Sequence, residues 1–128
     1  MDSLKLDPIK YQYPKVAINS GFRIGTSGSQ HNKGQAADIR FIGMPLAQYA
    51  AVATWIKDNL PVDQLILESQ KDKSTSMWVH VSYNPTGKCR KDCKTGANGG
   101  YPGSAATYWP GIDISKLSWI NTSFVKAA

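Results

Sequence analysis

The sequence predicts an α+β fold in a single domain, with a small antiparallel sheet, flanking helices and a long irregular C-terminal segment. Three observations support this prediction: short β-branched runs bounded by turn residues, one clearly helical segment, and a stretch over residues 85–111 rich in glycine and proline. Helical and strand segments do not alternate regularly, which argues against a parallel βαβ sheet. The length of 128 residues suits one domain with a normal hydrophobic core.

The first half of the chain holds two predicted strands and the clearest predicted helix. Residues 4–15 indicate a short helix or turn that leads into a first strand over residues 16–20. After a polar loop, residues 36–41 alternate as a second strand. Pro45 suits the first turn of a helix, because its missing N–H would have no partner there, and this helix should end before Pro61.

Two further strands are predicted over residues 64–68 and 77–83, where apolar and β-branched residues are frequent. They should form an antiparallel hairpin with a loop of about nine residues, which is long for a hairpin. We expect a mostly irregular course for residues 85–111 and a short helix near residues 115–120 that packs Trp119 on the core. Residues 1–84 would then form the functional core, and residues 85–128 an extension packed on the same domain.

Charge and cysteine content narrow the range of partners. A formal charge of +6 favours anionic partners, such as nucleic acid, a membrane surface or acidic wall polymers. No apolar run approaches the roughly 20 residues of a membrane helix, and the interleaved stacking aromatics of nucleic-acid sites are missing. We therefore expect no membrane insertion and no nucleic-acid binding. Cys89 and Cys93 lack the second ligand pair of a zinc ribbon, and both a local disulfide and two free thiols remain open.

The two histidines and one aspartate provide a candidate metal site. His31 lies in a polar loop, Gly34 permits a turn, and Asp38 follows at the start of the second strand. His80 lies in the middle of the fourth strand. Two imidazoles and a carboxylate make a three-ligand zinc set with one open position, which is typical of catalytic sites. Taken singly, such histidines are more often structural, so the surrounding motifs decide the interpretation.

Three sequence blocks resemble those of the zinc D,D-peptidase family and occur in the family's order. They are Ser20-Gly21-Phe22-Arg23, Ser29-x-His31-x-x-Gly34-x-Ala36-x-Asp38 and Trp78-Val79-His80-Val81. The family comprises D-alanyl-D-alanine carboxypeptidases, dipeptidases and phage L-alanyl-D-glutamate endopeptidases, and hedgehog domains have a related metal core. The resemblance covers residues 16–84 and implies a zinc ion held by His31, Asp38 and His80.

The resemblance also implies substrate-binding roles for Arg23 and Ser29. In the family, an arginine in the first block binds a carboxylate or carbonyl group of the substrate. This role fits the chemistry, since a guanidinium pairs with a carboxylate through two parallel hydrogen bonds. Ser29 is expected to hydrogen bond to the substrate or the zinc loop. Outside the motif, a solvated surface side chain would be the simpler interpretation of Arg23.

The expected general base departs from the family pattern. Many members carry an acidic residue three positions before the last histidine, where this chain has Met77. Side chains two residues apart on a strand share a face, so Glu68 would join His80 on one face if Glu68 opposes Trp78. We therefore predict that Glu68 is the base. The alternative is an exposed carboxylate at the hairpin shoulder, and a register slip of one residue would turn Glu68 to the other face.

These observations predict a zinc-dependent hydrolase that cuts amide bonds in peptidoglycan stem peptides containing D-amino acids. Because no apolar stretch follows Met1, we expect no signal peptide. This is typical of a phage lysin released through a holin, or of a virion protein that contacts other tail proteins; a fragment of a larger protein is the other explanation. The alternative function is a catalytically inactive, zinc-stabilised module that binds the cell wall or is structural.

Overall fold

The computed structural model describes residues 3–20, 36–84, 89–99 and 106–127 of the chain. Within these ranges the fold is α+β, as the sequence predicts, with two α-helices and a six-stranded sheet. The elements in chain order are α1 (Ser3–Gln12), β1 (Val16–Ser20), β2 (Ala36–Phe41), α2 (Tyr49–Asn59), β3 (Gln64–Gln70), β4 (Met77–Ser82), β5 (Asp92–Asn98) and β6 (Thr107–Pro110). A short 3-10 turn, Leu46–Gln48, precedes α2.

The sheet has the strand order β1-β2-β4-β3-β5-β6. The first four strands pair antiparallel to one another, and the bounds of β1 and β2 agree with those expected from the sequence. The hairpin between β3 and β4 is also confirmed, although β3 extends to Gln70 and leaves only residues 71–76 in the loop. The sequence therefore predicts the central part of the sheet well.

The C-terminal segment differs from its prediction as a mostly irregular chain. Strands β5 and β6 lie within residues 85–111, and β5 runs parallel to β3, so the sheet is mixed and not antiparallel. The predicted helix near residues 115–120 is only the 3-10 turn Ile114–Lys116. The glycine-rich composition concealed β5, which alternates in the manner of a strand between Asp92 and Asn98.

The hydrophobic core lies on one face of the sheet. Helix α2 covers this face with Tyr49, Val52, Ala53 and Ile56, which are buried in one cluster with inward side chains of the strands. The Tyr49 hydroxyl accepts a hydrogen bond from the Phe41 amide at 2.9 Å, which connects α2 to the end of β2. Trp119 packs on this cluster, as predicted, and its indole N–H donates to the Ser69 hydroxyl at 2.8 Å.

The start of β5 is fixed to the rest of the sheet by a buried carboxylate. Asp63, just before β3, accepts hydrogen bonds from the Arg90 guanidinium at 2.8 and 3.1 Å and from the Arg90 amide at 3.2 Å. The Asp92 amide donates to the Asp63 carbonyl at 2.9 Å. These contacts set the register in which β5 lies beside β3.

Neither α-helix in the described part of the chain has the length and apolar character needed to span a membrane.

Candidate metal centre

Strand register brings three acid–base side chains together on the sheet face opposite the core. Asp38 on β2 pairs directly with His80 on β4, so their side chains share one face. Across the hairpin, Glu68 on β3 pairs with Trp78, which is two residues before His80. Glu68 therefore points to the same face as His80, in the register that the sequence argument assumed.

The side chains of Asp38, Glu68 and His80 form a group that could hold a metal ion. Their candidate ligand atoms all lie within 4.8 Å of one another. The His80 Nδ1 atom is 3.0 Å from the Asp38 Oδ1 atom, with either atom's role set by the histidine tautomer. Two ligand atoms about 2.0–2.2 Å from one zinc ion are about 3.3 Å apart in a tetrahedral site. The observed separation suits either a hydrogen bond or an edge of such a site.

Glu68 is the only glutamate in the chain and the most buried member of the group. Only 8% of its surface is exposed. This burial raises the pKa of the Glu68 carboxyl; the negative charge of Asp38 acts in the same direction, while His80, Asn98 and Lys94 oppose it. A carboxylate in such surroundings is a stronger proton acceptor than an exposed one.

The residue at the position expected to be acidic does not face this group. Met77 is fully buried, and as the immediate neighbour of Trp78 on β4 it points into the core. Trp78 itself lies on the site face, half-buried, with the Arg40 guanidinium 5.5 Å from the centre of its ring. Trp78 thus lies on the same face as Asp38, Glu68 and His80, whereas Met77 does not.

Three residues implied by the resemblance lie outside the described residues. They are His31, expected as a zinc ligand, and Arg23 and Ser29, expected to bind the substrate. Of the six site residues predicted from the sequence, Asp38, Glu68 and His80 are described, and these three come together.

Strand β5 adds site residues that the sequence argument missed. The Asn98 side chain lies near the Glu68 carboxyl and acts to lower its pKa. Gly96 pairs with Glu68 on one side and with Tyr108 of β6 on the other. The polar residues Asp92, Lys94 and Asn98 recur with a period of two, a signal for a strand with one polar face.

The two cysteines do not belong to this site. Cys89 and Cys93 are both free thiols, which decides between the two alternatives left by the sequence. Cys93 lies on β5 between Asp92 and Lys94, so its side chain points to the core face. Burial raises the pKa of the Cys93 thiol.

Comparisons with other proteins do not identify the chain. No known protein family matches it, and neither a curated protein nor a solved structure gives a match. The chemistry of the site must therefore be argued from its own residues.

Proposed function

We propose that this protein is a zinc-dependent peptidase that hydrolyses amide bonds in peptidoglycan stem peptides. The observation that supports the proposal most strongly is the convergence of Asp38, Glu68 and His80 within 4.8 Å on a polar sheet face. The three residues are far apart in sequence, and each was expected there from the motif and the strand pattern. The group differs from an ordinary cluster of surface acids, because it contains a buried glutamate beside a histidine.

The donor set fits zinc better than a hard cation. Asp38 and His80 would hold the ion with His31, which lies outside the described residues, and imidazole nitrogen suits zinc rather than calcium or magnesium. When bound, zinc supplies a Lewis acid that polarises a carbonyl oxygen and lowers the pKa of a water molecule.

Within this proposal, Glu68 acts as the general base and then as the general acid. Its carboxylate accepts a proton from the attacking water and delivers that proton to the amine that leaves when the amide bond breaks. The Asn98 side chain near this carboxyl favours its charged form, which is the form that accepts the proton. Arg23 and Ser29 would bind the stem peptide, as the resemblance implies.

The setting of this activity follows from its substrate. Peptidoglycan lies outside the bacterial membrane, so the protein would act on the cell wall as a phage lysin or a virion tail component. The formal charge of +6 would favour its accumulation on acidic wall polymers.

The test is cleavage of purified muropeptides by the metal-loaded protein. We expect hydrolysis that stops with a chelator, returns on addition of zinc, and is lost in His80→Ala. Lys57→Met, on the far side of the sheet in α2, serves as the control and should retain full activity. A protein that binds zinc and cleaves no muropeptide would instead be the inactive wall-binding or structural module.

A further inference from the structure

The sheet face that carries the candidate metal centre continues onto β5 and β6. Ile66 of β3 pairs with His80 on one side and with Lys94 on the other, so these three residues form one row across the sheet. Glu68, Gly96 and Tyr108 form the neighbouring row. With strands about 4.8 Å apart, the Lys94 backbone is about 10 Å from that of His80. A peptide bound at the metal centre and running toward β5 would reach Lys94 and Tyr108 within about three residues.

Gly96 provides the space in which the Tyr108 ring lies. A Cβ atom at position 96 would be 2.8 Å from Cε1 of Tyr108 and 3.3 Å from Cγ2 of Ile66. The ring therefore rests on the Gly96 backbone. Tyr108 is nevertheless 47% exposed, so part of its ring is available to a ligand. An exposed aromatic ring seated against a glycine beside an acid–base cluster is a suitable surface for substrate packing.

Lys94 is held in place beside this ring. Its Nζ atom is 4.8 Å from the centre of the Tyr108 ring and 3.2 Å from Oδ2 of Asp92. The same Asp92 oxygen accepts a hydrogen bond from the side-chain amide of Gln64 at 3.3 Å. Asp92 would therefore keep a partner if Lys94 also bound a ligand. An ammonium group has three N–H donors, so Lys94 could bind a further acceptor while it keeps its ion pair with Asp92.

We propose that Lys94 and Tyr108 form a carboxylate-binding subsite that adjoins the metal centre and positions an anionic peptide substrate. The ammonium group would bind the carboxylate, and the ring would pack against the aliphatic part of the same residue. Glu68 repels an anion placed directly above it, so the carboxylate is bound on the Lys94 side. The inference rests on the proposed peptidase function and specifies the charge of its substrate.

The test compares two probes that differ only in charge, N-acetyl-D-alanyl-D-alanine and its C-terminal amide. Dissociation constants are measured by NMR titration of the full chain loaded with zinc, in a Glu68→Gln background that prevents turnover. Lys94→Met removes the cation, Lys94→Arg retains it, and Lys57→Met removes an exposed lysine of α2 as the matched control. Circular dichroism verifies that each variant folds.

We expect the carboxylate probe to bind about tenfold more tightly than the amide, as for a hydrogen bond to a charged group. Lys94→Met should abolish this preference, while Lys94→Arg and Lys57→Met keep it. A parent chain that does not distinguish the probes, or a Lys94→Met variant that still does, would overturn the subsite.

A second variant displaces the aromatic ring while it keeps the Lys94 side chain. Gly96→Ala introduces the Cβ atom that displaces Tyr108, so both probes should bind several-fold more weakly. Equal binding by Gly96→Ala and its parent would exclude the ring from the subsite.

Failure of the subsite and failure of the peptidase give different results. If the protein with intact Glu68 cleaves muropeptides and Lys94→Met leaves the charge preference unchanged, the subsite is wrong and the peptidase stands. If no cleavage or zinc uptake is found but the Lys94-dependent preference persists, the subsite stands and the peptidase is wrong. The two failures can be distinguished because neither Lys94 nor Tyr108 is among the three residues that could hold the metal ion.

Discussion

At the scale of single residues, Glu68 combines two properties that rarely occur together in a merely structural side chain. It is buried, so its charged form is disfavoured, and it lies beside Asp38, which is also acidic. Such an arrangement costs stability unless another requirement maintains it. We attribute it to proton transfer in the proposed amide hydrolysis.

Glu68→Gln tests this assignment because it removes the base while preserving shape. We expect the turnover number to fall by about 100-fold or more, the usual contribution of a general base, with zinc content unchanged. Asp58→Asn, the same chemical change at an exposed position on α2, is the control. Undiminished cleavage would refute the role of Glu68 as base, whereas loss of zinc would identify Glu68 as a ligand.

Cys93 gives a second prediction at this scale. Since burial raises its pKa, less thiolate is present at a given pH than in the unfolded chain. In a Cys89→Ser variant, the rate of alkylation by iodoacetamide should therefore rise at a higher pH in folded protein than in urea. Coincident pH midpoints in the two states would show that Cys93 is not shielded as described.

At the scale of elements, the β3–β4 hairpin explains why part of the site could be predicted. Alternating apolar residues on both strands must face the core, and this requirement fixes the side on which Glu68 and His80 emerge. That constraint limits the register to steps of two residues, and the structure pairs Glu68 with Trp78. No comparable constraint is evident in β5, where Gly96 and small residues conceal the alternation, so Asn98 and Lys94 were not anticipated.

Helix α2 supports the site from the opposite face through Tyr49. Its hydroxyl is the acceptor for the buried Phe41 amide, and Phe41 ends the strand that carries Asp38. Tyr49→Phe should lower the free energy of unfolding by about 1–3 kcal/mol, because it leaves that amide without its acceptor. Urea unfolding measures the change, and Tyr11→Phe, at a position 89% exposed, should have no effect. Equal stability of the two variants would contradict the proposed connection.

At the scale of the whole molecule, charge and topology act together. The mixed sheet places Asp38, Glu68 and His80 on one face, while α2 and the C-terminal turn cover the other. The class of fold followed from several short strands and one clear helix that do not alternate regularly. The parallel placement of β5 did not, because it depends on the long-range contacts of Asp63 with residues 90–92 rather than on a local pattern.

The positive charge predicts how the protein binds its polymeric substrate. If the charge of +6 promotes adsorption to acidic cell walls, cosedimentation with purified walls should weaken as NaCl rises from about 0.05 M to about 0.5 M. Attraction between solvent-exposed charges is screened over this range. Adsorption that is independent of salt would show that the net charge has no part in wall binding.

The central claim is that Asp38 and His80 belong to a zinc site, and the most direct test is the zinc content of the purified chain. After saturation with zinc and dialysis, elemental analysis should find about one zinc ion per chain, the stoichiometry of a single catalytic site. His80→Ala should lose it, whereas Asp113→Asn, which alters only the cap of the 3-10 turn, should keep it. A wild-type chain that retains no zinc, or a His80→Ala variant that retains as much as wild type, would contradict the claim.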